Sequence, residues 1–386
     1  MAHGKRRALD LEHTRRFVEK LFGDDEHAAR VLSLANGIVG VLHAALLSIH
    51  AIGQAYAKVA KITPKSGVKQ VDRMLSNGAI VMERILELWV RFVVAEREQA
   101  MIALDWTDFD DDDHTTLAAY LVTCHGRATP LCWTTVKKSE LKGRRTAEEH
   151  AMVERLNRWL PAKVEVELLA DRGFGDQKLY RRLDALNWHY TIRFRGGIRV
   201  EASTGEARSA AEWLSPRGRA LMLRGARVTE DRTWVQAVVV VHARQMKEPW
   251  CLVTSRAERT AAQVVKHYGR RFTIEETFRD QKDLRFGMGL RATHIHDAQR
   301  RDRLLLLVAV AHALLTLLGA ASERAGLDRI LKVNTVKKRT HSLYRQGCYW
   351  YDCIPTMRED WLVALMTAFD AVVREHVLFR ELFGIV

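Results

Sequence analysis

Apolar residues recur at helical spacing through residues 9–99, and no part of this region alternates as a half-buried strand does. A proline-led segment, 62–77, lies within it and is followed by a further amphipathic stretch. In the proline-led segment, Lys65, Lys69 and Arg73 are four residues apart and share one helix face. We predict an all-helical region whose basic stripe contacts DNA phosphates, although a solvated basic surface explains the same pattern equally well.

The pattern changes at residue 100, where apolar runs of strand length replace the helical spacing. Three strands come first, with His125 and Gly126 as a tight turn between the second and the third. A helix over 147–160 follows, and strands then alternate with helices as far as residue 195. This order of elements predicts a mixed α/β domain.

Residues 196–246 are basic and rich in turn and strand formers, which predicts a β-rich subdomain inserted into the α/β domain. A strand at 248–255 and a helix at 260–285 resume the domain, and the remainder of the chain is helical. The predicted organisation is an interrupted α/β core between two all-helical regions, with these boundaries: 1–99, 100–195, 196–246, 247–290 and 291–386.

The segment 304–321 carries no charge and has the minimum length of a membrane-spanning helix. His312 and Thr316 interrupt its apolar run, and charged residues bound it on both sides. Because the rest of the chain is rich in charge, we interpret this segment as a helix buried in the core. We therefore predict no association with a membrane.

The chain has 61 Lys and Arg residues against 47 Asp and Glu residues, a net charge of +14. Such an excess predicts a polyanionic partner, with nucleic acid first and a membrane surface as the rival. A second basic segment, 329–346, contains no acidic residue and adds further candidate phosphate contacts: Lys337, Lys338, Arg339 and Arg345. Five scattered cysteines and the lack of a secretory signal predict a reducing, cytoplasmic compartment.

Three carboxylates are candidates for a shared site. Asp105 lies on the first predicted strand, and Asp171 ends a later strand, where Gly173 lets the chain turn. Glu275 lies on the helix that follows the insertion. Carboxylates brought together repel one another unless cations lie between them, and oxygen ligands are what Mg²⁺ prefers. The three residues therefore suit a two-metal site for phosphoryl transfer, in a chain that also carries phosphate-binding cations.

The helix 260–285 strengthens this interpretation. Within an arc of roughly 80°, one face of it carries a carboxylate, a tyrosine and three cations: Tyr268, Arg271, Glu275, Arg279 and Lys282. Glu276 points about 100° away from Glu275, so the two glutamates do not share a role.

Each of these residues also has a simpler structural explanation. Either aspartate could cap a turn, and Glu275 could pair with Arg271 as a surface ion pair. His114, beside the acidic run Asp110–Asp113, is interpreted as a surface histidine. The conjunction of three carboxylates, a cation-lined helix face and a basic chain favours a site.

The spacing Tyr-x2-Arg-x3-Glu-x6-Lys, met by Tyr268, Arg271, Glu275 and Lys282, resembles the signature of DDE transposases of bacterial insertion sequences, of the type 4 family. The stretches LDWTDF, LLADRGF and QVDRMLSN are also similar to motifs of that family. The order of strands resembles an RNase H-like core. The resemblance extends over nearly the whole chain.

This resemblance implies roles for individual residues. Two Mg²⁺ ions, for which Mn²⁺ substitutes, would be held by Asp105, Asp171 and Glu275. DNA phosphates near the cleaved end would be contacted by Tyr268, Arg271 and Lys282.

Trp250, at the start of the strand after the insertion, would stack on a base that is flipped out while a DNA hairpin forms. A core tryptophan is the alternative explanation of Trp250, and Trp213 or Trp234 could take the stacking role instead.

The implied activity is cut-and-paste transposition: a 3′-hydroxyl is generated, the end closes as a hairpin and reopens, and the strand is transferred into target DNA. Residues 9–99 would bind the terminal inverted repeat of double-stranded DNA, and the C-terminal helices would help to form a dimer. Two alternatives stay open: a transposase-derived DNA-binding protein without catalysis, and an RNase H-like nuclease of other purpose.

Overall fold

A computed structural model describes residues 11–44, 46–123, 127–283 and 287–374. The turn predicted at His125 and Gly126 lies outside these residues. The helices in the described chain are α1 (Leu11–Phe22), α2 (Ala28–Ala44), α3 (Ile49–Ala60), α4 (Pro64–Leu75), α5 (Met82–Val94), α6 (Arg145–Trp159), α7 (Gln177–Ala185), α8 (Ala261–Gly269), α9 (Thr273–Lys282), α10 (Ala298–Arg324), α11 (Leu343–Cys353) and α12 (Glu359–Arg374).

The strands in the described chain are β1 (Gln99–Phe109), β2 (His114–Leu121), β3 (Thr129–Lys137), β4 (Glu165–Ala170), β5 (His189–Phe194), β6 (Arg199–Glu201), β7 (Ala207–Ser209), β8 (Leu221–Val228), β9 (Thr233–Val241) and β10 (Trp250–Thr254). They form one sheet in the order β3-β2-β1-β4-β5-β10-β9-β8-β6-β7. The pairs β1/β4 and β4/β5 are parallel, and the other pairs are antiparallel.

The first five strands in this order have the arrangement of an RNase H-like core. An antiparallel meander, β1 to β3, is joined through α6 to β4, and α7 then joins β4 to β5. A helix is needed at each of these connections because parallel strands cannot be joined by a tight turn. The mixed α/β core between helical regions is confirmed.

The inserted β-rich residues continue the same sheet. Strand β10 pairs with β5 on one side and with β9 on the other, and β8, β6 and β7 follow outwards. The insertion therefore widens the core sheet, and its strand β9 covers an edge of β10 that would otherwise be open to pairing.

Helix α10 is the core of the C-terminal region. It is long and apolar enough to cross a membrane, with a mean hydropathy of 2.4 over its most apolar window, but 94% of that window is buried inside the protein. It packs against α2, α11 and α12 and against strand β3. This burial supports the prediction that the apolar segment 304–321 is a core helix.

Two glycines allow α10 and α11 to touch backbone to backbone. A Cβ atom on Gly319 of α10 would lie 1.9 Å from the carbonyl oxygen of Leu343, and one on Gly347 of α11 would lie 1.8 Å from that of Leu315. The same close approach is thus made twice, once from each helix, and neither position can accept a side chain without separating the helices.

We expect Gly347→Ala to lower the free energy of unfolding by about 1–3 kcal/mol, because overpacking forces the backbone of two buried helices apart. Gly269→Ala is the matched control, since no atom lies within 4 Å of a Cβ built at the end of α8. Urea denaturation of both variants checks this. Equal stabilities of Gly347→Ala and the control would contradict the packing described.

Candidate active site

Asp105 and Asp171 lie side by side at the same level of two parallel strands. In the β1/β4 pair, Leu104 is opposite Ala170. Asp105 directly follows Leu104, and Asp171 directly follows Ala170. Neighbouring strands are about 4.8 Å apart. The residues before Asp105 and Asp171 are buried apolar residues that fix the register of both strands. The register alone therefore brings the two carboxylates together.

The turn after β4 orients Asp171. Its Oδ1 accepts a hydrogen bond from the backbone N–H of Gly173 at 2.8 Å. The sequence predicts that Gly173 serves a sharp turn, but its φ is not positive. Glycine is instead favoured by space, because a Cβ there would lie 3.0 Å from Asp171 Oδ1.

The predicted single helix 260–285 is two helices in the structure. A capping box of Thr260 and Gln263 begins α8, and a 3₁₀ turn over Arg270–Phe272 separates it from α9. The prediction of one continuous helix was wrong because a short change of helix type leaves no signal in apolar spacing. The turn puts Arg271 before α9, four residues ahead of Glu275.

Arg271 bridges two of the three carboxylates. Its Nη1 donates to Asp105 Oδ2 at 3.1 Å and its Nη2 donates to Glu275 Oε1 at 2.8 Å. The Arg271 side chain is only 7% exposed, whereas that of Glu275 is 49% exposed. Burial acts to lower the pKa of Arg271, but the Tyr268 hydroxyl and the nearby carboxylates together raise it by more. The pKa is therefore raised overall, and the guanidinium stays charged.

The electrostatics of Asp105 record how crowded the site is. Burial raises the pKa of Asp105 to about 6, Arg271 acts to lower it, and the charges of Asp171 and Glu275 raise it again. Each of the other two carboxylates therefore acts on Asp105, so all three belong to one electrostatic cluster. A single buried guanidinium does not neutralise it.

Tyr268 and Trp250 form an aromatic layer beside Arg271. Tyr268 is 1% exposed, its ring meets Trp250 edge-on at 5.0 Å, and burial raises its pKa to about 12. Trp250 is half-buried and stacks on Phe272 at 5.6 Å. Tyr268 and Arg271 are predicted DNA contacts, yet both are buried here, and the contacts they make are with protein side chains. Sequence spacing cannot distinguish a buried face from an exposed one at this short helix.

Lys282 lies at the far end of α9. Its Nζ donates to the backbone oxygen of Asp108 at 3.0 Å and lies 4.5 Å from the centre of the Phe109 ring. Burial lowers the pKa of Lys282 to about 8, and the positive charge of Arg291 lowers it too. An open groove runs past Glu275, with cations along it: Arg279, Lys282 and Arg291.

Glu276 does not share this environment. It pairs with Arg279 at 3.2 Å and lies 3.9 Å from Arg127. The predicted separation of Glu275 from Glu276 therefore holds in the geometry, even though the helix is shorter than predicted.

The other predicted DNA contacts lie on two separate surfaces. Helix α4 begins at Pro64 with Thr63 as its cap, buries its apolar face against α2 and α3, and leaves Lys65, Lys69 and Arg73 exposed. In the second basic segment Lys337, Lys338 and Arg345 are exposed. Arg339 instead makes two 2.6 Å hydrogen bonds to Glu323.

The candidate stacking tryptophans differ in exposure. Trp234 on β9 is 58% exposed, whereas Trp213 is partly buried in the main core. Trp250 alone of the three touches Tyr268, a residue next to the carboxylate cluster.

His114 is a correction to the sequence interpretation. It is buried and accepts a hydrogen bond from Arg301 Nε at 3.0 Å. Arg301 also pairs with Asp112 of the acidic run and is itself fully buried. A buried network built from residues nearly two hundred positions apart has no local sequence signal.

The site also contains residues that the sequence did not indicate. Trp106, directly after Asp105, donates its backbone N–H to Asp105 Oδ1 at 2.9 Å and its indole N–H to Glu149 Oε1 at 2.8 Å. Arg145 donates to the same Glu149 oxygen at 3.3 Å. The helix was predicted to begin at residue 147, which left Arg145 outside it, whereas α6 begins at Arg145 and makes Arg145 and Glu149 an i,i+4 pair. Nothing local showed that Glu149 meets Trp106.

No group of three or more His, Cys, Asp or Glu residues in the described chain is arranged to hold a metal ion. The chemistry of the three carboxylates nevertheless fits one: they are oxygen donors, they repel one another, and the one guanidinium that bridges two of them does not balance their charge. Arg271 donates hydrogen bonds to Asp105 and Glu275. Either carboxylate would therefore have to give up part of its contact with the guanidinium in order to bind a metal ion.

Part of the chain is similar to a known protein family. Residues 140–314 match the model of the family described as "Transposase DDE domain". The match includes Asp171 and Glu275, whereas Asp105 lies before it. No curated protein sequence matches the chain.

One solved structure is an Argonaute from Marinitoga piezophila in complex with a guide RNA and target DNA, at 11% identity and a TM-score of 0.20. The match covers 65% of this chain and 34% of that one. A TM-score this low supports no inference about fold or function.

We expect Asp105→Asn to stabilise the fold increasingly as pH rises from about 4 to 6. The pKa of Asp105 is about 6 in the folded protein, above its usual value of 3.8. Between these two pH values the folded protein holds a proton that the unfolded chain has lost, so the wild type becomes less stable as pH rises through this range. The gain should reach at most about 3 kcal/mol at pH 7. Thermal melts in EDTA across this pH range measure it.

Asp108→Asn is the control. Burial acts to raise the pKa of Asp108, but hydrogen bonds from Lys138 and Thr115 lower it overall. The charged form of Asp108 therefore stabilises the fold above its usual pKa of 3.8. The Asn substitution at this position should lower stability by an almost constant amount between about pH 4 and 6, and this loss should shrink only at lower pH. A gain that does not depend on pH in Asp105→Asn would contradict the crowding inferred at the site.

Proposed function

We propose that the chain cleaves and joins DNA at the cluster of Asp105, Asp171 and Glu275, because residues 140–314 match the model of transposase DDE domains. The observation that carries the proposal is the register of β1 and β4, which aligns the two aspartates, together with the Arg271 bridge to Glu275. The spacing of Tyr268, Arg271, Glu275 and Lys282 further supports the type 4 family of bacterial insertion sequences.

Asp105, Asp171 and Glu275 are the residues that would hold divalent cations, two Mg²⁺ ions with Mn²⁺ as a substitute. When bound, such ions supply the positive charge that favours a deprotonated nucleophile and a negatively charged leaving oxygen in phosphoryl transfer. The protein's part is to fix three carboxylates on or beside rigid elements: one on β1, one directly after β4 and one in the first turn of α9. Rigid placement matters because a catalytic group that is misplaced by about 1 Å already loses much of its effect.

The reaction proposed is cut-and-paste transposition. A water oxygen attacks the phosphorus at the end of the element, and the 3′-oxygen leaves as a 3′-hydroxyl. That hydroxyl attacks the phosphodiester that joins the opposite strand to flanking DNA, the 3′-oxygen of the flanking strand leaves as a hydroxyl, and the end closes as a hairpin. Water attacks the hairpin phosphodiester, and the 3′-hydroxyl of the element leaves again. This hydroxyl finally attacks a phosphodiester of target DNA, displaces the 3′-oxygen of the target strand and joins the element to it.

Basic residues along the groove beside Glu275 are the proposed contacts of the scissile strand. Lys282 and Arg279 line this groove, and a phosphate near Lys282 would raise its pKa from about 8 and keep it charged. Arg271 is proposed to hold the carboxylates of Asp105 and Glu275 in place. When metal ions bind these carboxylates, its guanidinium would also contact a DNA phosphate. The Tyr268 ring makes a cation–π contact with the Arg271 guanidinium, whose Cζ lies 5.9 Å from the centre of the ring.

Trp250 is the proposed stacking residue for a flipped base. Its half-buried ring already rests on Phe272 and Tyr268, so an extruded base would meet a rigid aromatic surface. This arrangement favours Trp250 over the more remote Trp213 and Trp234.

The exposed stripe of α4, formed by Lys65, Lys69 and Arg73, is proposed to bind the terminal inverted repeat. Lys337, Lys338, Arg339 and Arg345 would contact DNA from the C-terminal region, where a homodimer would pair two ends. The protein would act in the bacterial cytoplasm at the nucleoid, in keeping with the burial of the apolar helix α10.

We expect Glu275→Ala to lower the rate of strand cleavage about a thousandfold or more, because it removes a carboxylate from the charged cluster. Glu276→Ala, which loses only its pair with Arg279 and Arg127, should cleave within about twofold of wild type. A duplex carrying the element's own end, incubated with Mg²⁺ or with EDTA, is resolved on a denaturing gel.

A hairpin product that needs Mg²⁺, present in Glu276→Ala and missing in Glu275→Ala, is the expected result. Nicks without a hairpin would point to an RNase H-like nuclease. Tight binding without cleavage by wild type would point to a DNA-binding protein that has no catalytic activity.

A further inference from the structure

Helix α6 carries a buried carboxylate for which the proposed reaction has no use. The Glu149 side chain is 4% exposed and accepts hydrogen bonds from the Trp106 indole at 2.8 Å and from Arg145 Nε at 3.3 Å. A charged group this buried must be paired to be tolerated. Its partners are a residue adjacent to Asp105 and a cation at the start of α6, so the network reaches the carboxylate cluster.

Arg145 lies close to the residue that follows Asp105 and to the turn that follows Asp171. Its guanidinium lies over the Trp106 ring at 5.2 Å, which places it beside the residue after Asp105. Its Nη2 lies 3.6 Å from the position that a Cβ on Gly173 would take, and the Gly173 N–H binds Asp171 Oδ1. Arg145 therefore adjoins the turn of Asp171, whereas Arg271 lies between Asp105 and Glu275.

The two arginines differ in how accessible they are. Arg271 is 7% exposed and directs both Nη atoms at carboxylates of the cluster. Arg145 is 48% exposed, its hydrogen bond to Glu149 uses Nε, and its Nη2 is on the side of the aspartate turn. A planar guanidinium that is anchored by stacking and by Nε, and open at its Nη atoms, suits a phosphate.

We propose that Arg145 is a further phosphate-binding residue of the cleavage site and that Glu149 and Trp106 are positioning residues, which hold its guanidinium and the Asp105 backbone. The inference rests on the proposed function, because it assigns the phosphate to the DNA strand that enters beside Asp105 and Asp171. The strand is then gripped on the Asp171 side by Arg145 and on the Glu275 side by the cations of α9.

The chain supplies a matched control for Arg145. Arg144, its neighbour, makes the equivalent i,i+4 pair with Glu148 at 3.2 Å and is 62% exposed. Arg144 and Arg145 thus share their charge and an i,i+4 glutamate partner, at the N-cap and at the first residue of α6. The stacking on Trp106 and the position beside Gly173 are those of Arg145. Any difference between the two substitutions isolates the position of Arg145.

The experiment uses the full chain and a duplex that carries the element's own end. Binding is measured in Ca²⁺ as a function of salt, and single-turnover cleavage is measured in Mg²⁺ over a range of protein concentrations. We expect Arg145→Ala to weaken binding and cleavage together by about tenfold to a hundredfold, the range of a hydrogen bond between charged groups. The slope of log affinity against log salt should fall by about one.

The remaining variants separate phosphate binding from folding. Arg145→Lys should recover part of the salt slope. Arg144→Ala should change the cleavage rate by less than about twofold and should lower the salt slope by clearly less than about one. Glu149→Gln keeps the size of the side chain and the acceptor for Trp106 but loses the charge that anchors Arg145, so it should slow cleavage without lowering the salt slope by a full unit. Thermal melts identify any variant that fails to fold, in which case Arg145→Gln replaces Arg145→Ala.

Equal salt slopes and cleavage rates for Arg145→Ala and Arg144→Ala would overturn the assignment of Arg145. A wild type that binds the duplex but never cleaves it would overturn the proposed function instead. The salt slopes in Ca²⁺ would still decide whether Arg145 binds a phosphate, because that measurement requires no cleavage.

Discussion

The Arg271 guanidinium, placed between Asp105 and Glu275, is the interaction on which the site depends. Three carboxylates could not be gathered at one edge of a protein without a compensating charge, and burial of Arg271 makes that charge strong because little water screens it. The same contact ties α9 to the central sheet. One guanidinium does not balance three carboxylates, so the cluster keeps a net negative charge. Such a cluster attracts divalent cations, and bound cations would in turn attract DNA phosphates.

The scaffold delivers this cluster through the register of two paired strands, and the strands themselves were readable from the sequence. Apolar runs predicted a strand at Asp105 and another ending at Asp171, and the order of elements predicted the mixed α/β core, whereas the pairing of β1 with β4 came from the structure. The continuation of the sheet through residues 196–246 was not predicted, because strand pairing between β9 and β10 is a long-range contact with no local pattern. Similarly, the glycines of α10 and α11 reveal their role only once the two helices are adjacent.

The site was predicted in part for the same reason. Glu275 and its separation from Glu276 follow from helical spacing, which survives even a broken helix. The burial of Tyr268 and the facing of Glu149 towards Trp106 depend on which elements pack together, and spacing within one element carries no such information. A sequence pattern thus identified the residues that bear charge, while the residues that position them needed the structure.

The central claim is that Asp105, Asp171 and Glu275 together bind divalent metal, and directed backbone cleavage tests it most directly. Fe²⁺ replaces Mg²⁺ in the complex with DNA, ascorbate and peroxide generate hydroxyl radicals at the bound ion, and the cut positions are mapped by mass spectrometry. The account predicts cuts beside all three carboxylates, suppressed by excess Mg²⁺ and lost in Asp171→Asn. Cuts confined to other parts of the chain, or cuts beside these residues that Mg²⁺ leaves unchanged, would contradict it.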